Sequence, residues 1–119
     1  MRLEFNNVCF SYGNGSEIKN MSFTAEKGEF IILAGENGAG KSTVSKLCSG
    51  LLKPVSGSVM LDSVPTNKIK ISKMAGKTGF LFQNPDRQIC CNTVFDEVMF
   101  TMRSAELFSE ETAKKRLKA

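Results

Sequence analysis

Apolar residues alternate with polar ones, imperfectly, at two places near the start of the chain. The first stretch carries Leu3, Phe5, Val8 and Phe10, and the second covers residues 18–25. A period of two is typical of strands with one buried face, so each stretch predicts a strand. Residues 30–34 form a continuous apolar run bounded by glycines. Such a run predicts a strand that is buried on both faces.

The hydrophobic period then changes to that of a helix. Val44, Leu47 and Cys48 follow one another at helical spacing. Gly50 and Pro54 are typical of the end of a helix. We therefore predict one helix here, directly after a glycine-rich segment.

Further elements follow in the second half of the chain. Residues 57–62 and 78–82 predict two more strands, and Asn84-Pro85-Asp86 predicts a loop. Ser109, followed by two glutamates, predicts the start of a final helix. The sequence therefore predicts a mixed α/β chain with a strand, a glycine loop and a helix at its centre.

An additional helix is predicted to open at Thr93, because Asp96 stands three residues later in the capping-box position. Its apolar stripe consists of Val94, Phe95, Val98, Met99 and Met102. Packing in the core is the default interpretation of such a stripe. A docking surface for a partner is the alternative, and both can hold for different residues.

The glycine-rich segment Gly35-Glu36-Asn37-Gly38-Ala39-Gly40-Lys41-Ser42 fits the pattern G-x-x-x-x-G-K-[ST]. Glycines let the backbone approach a ligand and adopt positive φ. Successive N–H groups then form an anion-binding nest at the positive end of the following helix. A glycine-rich turn followed by an exposed lysine is the alternative, but the flanking strand and helix favour a phosphate site.

Two side chains of this segment have chemistry of their own. Lys41 supplies a mobile cation for the β- and γ-phosphates of a nucleotide. The Ser42 hydroxyl is a hard oxygen ligand of the kind that Mg²⁺ takes together with phosphate oxygens. We therefore expect a nucleoside triphosphate and magnesium as ligands.

Composition and charge indicate the number of domains and argue against nucleic-acid binding. The chain has 119 residues, 41% of them hydrophobic, and a net charge of +4, which suits one globular domain. The densest basic cluster, residues 114–118, follows Glu110 and Glu111 at i,i+4 spacing. It is therefore interpreted as a solvated helix face, and we expect no nucleic-acid partner.

The cysteines and the apolar runs indicate the cellular compartment of the protein. None of the four cysteines forms a C-x-x-C pair and the chain has no His, so we expect reduced, partly buried thiols. No apolar run approaches the ~20 residues of a membrane span, and the start does not resemble a secretory signal. We expect a cytoplasmic protein whose association with a membrane depends on partners.

The segment from Gly28 to Gly57, with its phosphate loop, resembles the nucleotide-binding subunit of an ABC transporter. The resemblance implies an α/β fold of the P-loop NTPase class: the N-terminal part of an ABC-type domain, with the β subdomain, the phosphate loop and the start of the helical subdomain. ATP and Mg²⁺ are the implied cofactors. The implied cofactor-binding residues are Tyr12, Gly35, Glu36, Asn37, Gly38, Ala39, Gly40, Lys41, Ser42 and Thr43.

Tyr12 stands where this family carries an aromatic residue that stacks on the adenine ring; without the resemblance it is equally well a strand-end aromatic. Gln83 matches the family's Q-loop glutamine, which reaches the magnesium and attacking-water region. The resemblance thus implies Lys41 and Gln83 as catalytic residues and Ser42 and Gln83 as metal ligands.

The string from Phe82 to Gln88, with residues 93–98, is similar to the energy-coupling factor and cobalt/nickel branch of the family, which imports vitamins or metal ions. The implied function is the ATP-binding subunit of such an importer. The implied partners are a transmembrane subunit, which moves with Gln83, and a second ATP-binding subunit that is identical or related. A soluble ABC ATPase is an alternative that this string disfavours.

The resemblance covers the N-terminal half of the family's domain. The sequence contains no LSGGQ signature, acidic strand with a catalytic Glu, D-loop or switch His. We therefore expect residues 1–119 to form a single, incomplete domain of marginal stability that binds nucleotide weakly and hydrolyses it negligibly by itself. A truncated binding or docking module without hydrolysis is the alternative function.

Overall fold

A computed structural model describes residues 1–14 and 17–104 of the chain. The contacts divide the chain into two compact units, Met1–Ile71 and Ser72–Ala119, which are described one at a time. The helix predicted from Ser109 and the basic cluster at 114–118 lie outside the described residues. Among the described helices, none has the length and apolar character required to cross a bilayer.

The first unit contains an antiparallel sheet with the strand order β2-β1-β3-β4. Its strands are β1 (Leu3–Ser11), β2 (Glu17–Ala25), β3 (Ser56–Leu61) and β4 (Val64–Pro65). The predicted strands at the start of the chain, at 18–25 and at 57–62 are confirmed. The short β4 was not predicted; Asp62 and Ser63, with φ of 49° and 64°, form the two-residue turn that leads to it.

One face of this sheet packs against α1 (Lys41–Cys48), the helix predicted after the glycine-rich segment. The buried cluster consists of Phe5, Val8, Val44, Leu47 and Val59. The apolar positions of β1 and α1 therefore meet in one core. This core fixes the start of α1, and with it the end of the glycine-rich segment, against the sheet.

Gly57 lets β3 approach a bulge of β1 closely. Asn7 has a φ of 48°, and the pairing of β1 with β3 shifts register between Asn6 and Cys9. A Cβ on Gly57, whose own φ is 76°, would overlap the carbonyl oxygens of Asn6 and Asn7. Only glycine fits this position without displacing backbone.

The predicted doubly buried strand at 30–34 is wrong for the structure described. No described segment pairs with residues 30–34, and Phe30 and Ile32 are 89% and 75% exposed. An apolar run indicates that a segment prefers burial, but a strand also needs a hydrogen-bonded neighbour. In the described part of the chain this neighbour is absent.

The described part of the second unit contains α3 (Val94–Ser104) and a 3₁₀ turn at Pro85–Arg87; α2 (Ile71–Ala75) begins at the last residue of the first unit. The loop predicted at 84–86 is thus mostly this 3₁₀ turn. The strand predicted at 78–82 is also wrong for the described part of the chain, in which no ladder includes these residues.

A side chain takes the place of a neighbouring strand beside residues 80–82. The Gln88 amide donates to the carbonyl oxygen of Phe80 (2.9 Å) and accepts from the N–H of Phe82 (3.4 Å). The two phenyl rings meet edge to face at 4.7 Å, as residues two apart on an extended backbone can. The segment is therefore strand-like, but it is held by a glutamine.

Helix α3 begins as its sequence predicts. The Thr93 hydroxyl accepts from the N–H of Asp96 (3.1 Å) and donates to its carboxylate (2.6 Å). The apolar stripe divides in two: Met99 is 2% exposed, whereas Val94 and Phe95 are 83% and 51% exposed. Core packing therefore describes Met99, whereas Val94 and Phe95 present apolar surface to solvent.

Glu97, in the first turn of α3, holds the two adjacent cysteines that precede the helix. Its carboxylate accepts from the backbone N–H of Cys91 (2.7 Å) and of Cys90 (2.9 Å). These hydrogen bonds lower the pKa of Glu97. Burial, followed by the Glu97 charge, raises the pKa of the Cys91 thiol, and all four cysteines are free.

Gly57→Ala tests the close approach of β3 to β1. We expect it to lower the free energy of unfolding by about 2–4 kcal/mol, because the added carbon overlaps backbone oxygens. The measurement is denaturant unfolding of the full chain.

Gly28→Ala is the matched control. Gly28 also has a positive φ, 87°, but nothing lies within 4 Å of the Cβ position, so only a cost of about 1 kcal/mol is expected. Equal losses in the two variants would contradict the account of Gly57.

Candidate phosphate-binding site

Residues 35–40 form a tight loop that leads into α1. Gly38 and Gly40 both adopt the left-handed region, with φ of 88° and 89°. The N–H of Ala39 donates to the carbonyl oxygen of Glu36 (3.1 Å), which closes a turn between the glycines. The predicted conformational role of the glycines is confirmed at these two positions.

Helix α1 begins without the features that normally stabilise a helix start. Gly40 is the N-cap and provides no side-chain hydrogen bond, and the first turn has no acidic residue. Its first residue is Lys41, a cation at the positive end of the helix dipole. By contrast, α3 has the Thr93 cap and two acidic residues in its first turn.

The amino group of Lys41 folds back over the loop. Its Nζ donates to the carbonyl oxygens of Gly35 (2.7 Å) and Glu36 (2.6 Å). The lysine therefore holds the loop closed and keeps a positive charge beside the uncapped helix start. An anion bound there would meet this ammonium and the N–H groups of the first helical turn, which have no intrahelical acceptor.

Ser42 and Thr43 face different environments. Ser42 is exposed, whereas Thr43 is buried and only 8% exposed. The Ser42 hydroxyl can therefore reach a ligand. The Thr43 side chain is buried, so a contribution to a ligand site would have to come from its backbone N–H.

Tyr12 directly follows β1 and is 48% exposed. Its ring meets Phe10 edge to face, at 4.8 Å between centroids and 85° between planes. A cavity of about 240 Å³, lined by residues 9–11 and 17–19 and by Val55, lies at the adjoining strand ends. The exposed face of Tyr12 is free to stack on a planar group.

Ile18 is a residue at this site that sequence reasoning missed. A Cβ on Gly40 would lie 3.4 Å from Cγ1 of Ile18, so this side chain of β2 lies near the open face of Gly40, with room for a methyl group between them. Ile18 has only the apolar alternation of its strand as a signal. Proximity to a glycine far away in the sequence cannot be predicted from that pattern.

Gln83 lies in the second unit, exposed, between residues 78–82 and the 3₁₀ turn. The phosphate loop, the start of α1 and Tyr12 lie in the first unit, where β1 and β2 connect them. Within the described residues, no cluster of three His, Cys, Asp or Glu side chains could hold a metal ion. A metal ion near Ser42 would therefore need further oxygen ligands from a bound phosphate compound.

Comparison with known proteins agrees with this geometry. A family model described as "ABC transporter" matches residues 18–118 of the chain. This range contains the phosphate loop, α1 and Gln83, although Tyr12 precedes it.

Two curated relatives share the name energy-coupling factor transporter ATP-binding protein EcfA1. The one from Mesomycoplasma hyopneumoniae is 41% identical over 105 residues, which is 86% of this chain and 39% of that protein. The one from Fusobacterium nucleatum is 40% identical over 103 residues, again 86% and 39%. The chain thus spans about two fifths of the length of these relatives.

A solved structure, cbiO1 from Clostridium perfringens, superimposes with a TM-score of 0.77 and 29% identity. The match covers 98% of this chain and 47% of that one, which is described as part of the ABC transporter complex cbiONQ. The predicted fold class, the P-loop NTPase fold of an ABC nucleotide-binding domain, is confirmed for this N-terminal part.

Proposed function

The chain belongs to the ABC transporter family, and we propose that it is the ATP-binding part of an energy-coupling factor type importer. The relatives named for such importers support this proposal. The central part of this proposal is that the phosphate loop binds ATP. That ATP hydrolysis is coupled to transport is a second, broader part of the proposal, because the chain spans only part of the length of those relatives.

The observation that carries the proposal is the start of α1. A helix that begins with Lys41, uncapped and without acidic residues, is unfavourable by itself. In the same chain α3 has a Thr93 cap and two acidic residues in its first turn, so the lack of these features is specific to α1. A bound triphosphate would supply the missing negative charge and the missing acceptors for the N–H groups.

Each proposed site residue has a separate task. Backbone N–H groups between Gly38 and Thr43 bind phosphate oxygens, and Lys41 turns from the loop carbonyls toward the β- and γ-phosphates. Tyr12 stacks on adenine. Magnesium, when bound, would neutralise phosphate charge, and the exposed hydroxyl of Ser42 fits it as a hard oxygen ligand.

Gln83 is proposed to act in ATP hydrolysis, after the nucleotide has bound. By family resemblance it orients water near the metal and responds to the membrane partner. Phosphoryl transfer needs positioned metal, oriented water and charge stabilisation together. We propose that residues 1–119 bind nucleotide but require further elements, including those of a second ATP-binding subunit, for turnover.

The exposed part of the α3 stripe is the proposed contact with a transmembrane subunit. Val94 and Phe95 point large apolar surfaces at solvent in the first turn of the helix. Exposed aromatic and aliphatic residues of this kind are typical of docking surfaces. Such a contact would place the protein at the cytoplasmic face of a membrane through its partner.

Lys41→Ala tests nucleotide binding by the loop. We expect the affinity for ATP with Mg²⁺ to fall at least about tenfold, because a charge-assisted hydrogen bond to phosphate is lost. Removing a cation from a helix start should not destabilise the helix, so unfolding would not explain the loss. The measurement is calorimetric titration of the full chain.

Lys46→Ala is the matched control, since Lys46 is the basic residue in the last turn of the same helix. Its affinity for ATP should remain within about twofold of the unmodified chain. Equal affinities in all three proteins would reject the loop as the nucleotide site.

Phe95→Ser tests the docking surface. We expect about tenfold weaker binding to the transmembrane subunit of its own transporter, as for a moderate contact residue of an interface. Phe100→Ser is the control: Phe100 is similarly exposed, at 55%, but lies about 140° around the helix from Phe95. A loss confined to Phe100→Ser, or shared by both variants, would contradict the proposed surface.

A further inference from the structure

Two cysteines stand next to each other in the second unit, between the 3₁₀ turn and α3. Both thiols are free; Cys90 is exposed and Cys91 is partly exposed. Neither Cys9 nor Cys48 has another cysteine beside it in the sequence. Cys90 and Cys91 are therefore a pair of thiols that a ligand can reach from solvent.

A single carboxylate oxygen of Glu97 fixes the backbone of this pair. Oε2 of Glu97 accepts from the N–H of Cys90 (2.9 Å) and from the N–H of Cys91 (2.7 Å). Successive side chains of an extended strand point to opposite faces, whereas successive N–H groups that converge on one acceptor belong to a folded, nest-like backbone. The two side chains are therefore not held on opposite sides of the chain, as they would be in a strand.

The two thiols also differ in reactivity. Burial, followed by the charge of Glu97, raises the pKa of the Cys91 thiol, and the charge of Cys90 contributes to the same rise. The Cys90 thiol donates to the carbonyl oxygen of Gln88 (3.5 Å). Because the thiolate is the nucleophile, we expect the exposed Cys90 to react first and Cys91 second.

The spacing of adjacent residues favours an atom between the two sulfurs over a direct disulfide. A trans peptide separates consecutive Cα atoms by about 3.8 Å, which is shorter than the about 4.4–6.8 Å of unstrained disulfides. An atom that bonds both sulfurs closes a larger ring and relieves this strain. Thiolates select soft atoms as partners.

The number of protein ligands restricts the identity of this atom. Among the described residues, no group of three His, Cys, Asp or Glu side chains could hold a metal ion, whereas a protein-bound zinc ion takes three or four such ligands. Trivalent arsenic with one carbon substituent needs only two further bonds. Two adjacent thiols supply both of them.

We propose that Cys90 and Cys91 form a dithiol site for a monosubstituted trivalent arsenical, and that Glu97 is a positioning residue that holds both thiols within reach of one arsenic atom. With an arsine oxide, each sulfur forms a bond to arsenic and the arsenic–oxygen bond breaks. The two thiol protons leave with the oxygen as water. Arsenic stays trivalent, so the reaction needs no oxidant or reductant, and the site would exist whether or not the loop binds nucleotide.

Phenylarsine oxide is the probe, added to the full chain after reduction with a phosphine. We expect one adduct per chain, which intact-mass spectrometry identifies as the gain of one phenylarsenic group and the loss of two hydrogens. The adduct should survive an excess of mercaptoethanol and be removed by dimercaptopropanol, because only a chelate resists a monothiol.

The position of the adduct can be determined on the unmodified chain, whatever the stability of any variant. Trypsin cleaves after Arg87 and Arg103, so the peptide 88–103 contains Cys90, Cys91 and no other cysteine. The phenylarsenic group should be found on this peptide. An adduct on a different peptide, or one that links two peptides, would overturn the proposal.

Single substitutions test whether both sulfurs bind. Cys90→Ser and Cys91→Ser should each weaken binding at least about a hundredfold, because the second, intramolecular bond is lost. The matched control carries Cys9→Ser and Cys48→Ser together and should keep its affinity within about twofold. A monothiol-resistant adduct in either single variant would contradict the dithiol site.

Glu97→Ala tests the positioning role. We expect affinity for phenylarsine oxide to fall about tenfold, because the pair is no longer preorganised. Glu97→Gln should restore the affinity to within about twofold, since its amide oxygen can still accept from both N–H groups. If Glu97→Ala binds as tightly as the unmodified chain, the role of Glu97 is rejected.

Discussion

The conformation of Gly40 is the constraint on which the candidate site depends. At this residue the chain leaves the loop with a φ of 89° and enters α1. No residue with a side chain adopts this conformation cheaply. Since α1 packs against the sheet through Val44 and Leu47, the core determines where the helix start lies. The arrangement places unpaired N–H groups and Lys41 at one exposed point.

The N-terminus of α3 is built for helix stability, whereas the N-terminus of α1 is suited to binding a ligand. At the start of α3 the Thr93 hydroxyl accepts from the N–H of Asp96, and the carboxylates of Asp96 and Glu97 complement the helix dipole. Helix α1 does the reverse, with a glycine cap and a cation. A chain that can cap one helix well but leaves another open retains that opening where a ligand completes it.

Local chemistry made much of this site predictable. The spacing of Gly35, Gly40 and Lys41 encodes the loop, and the period of Val44 and Leu47 encodes α1. The strand prediction at 30–34 was wrong because a strand requires a partner, which no local pattern reports. Ile18 was missed for the same reason: its proximity to Gly40 brings together segments that are distant in the sequence. The turn into β4 was missed because its two central residues are not glycines.

A crystal structure of the full chain with Mg²⁺ and a non-hydrolysable ATP analogue is the most direct test. The account predicts phosphate oxygens at hydrogen-bonding distance, about 3 Å, from N–H groups between Gly38 and Thr43. It also predicts the adenine ring on Tyr12. Phosphates bound elsewhere, with Lys41 still on the carbonyl oxygens of Gly35 and Glu36 and the helix start empty, would contradict it.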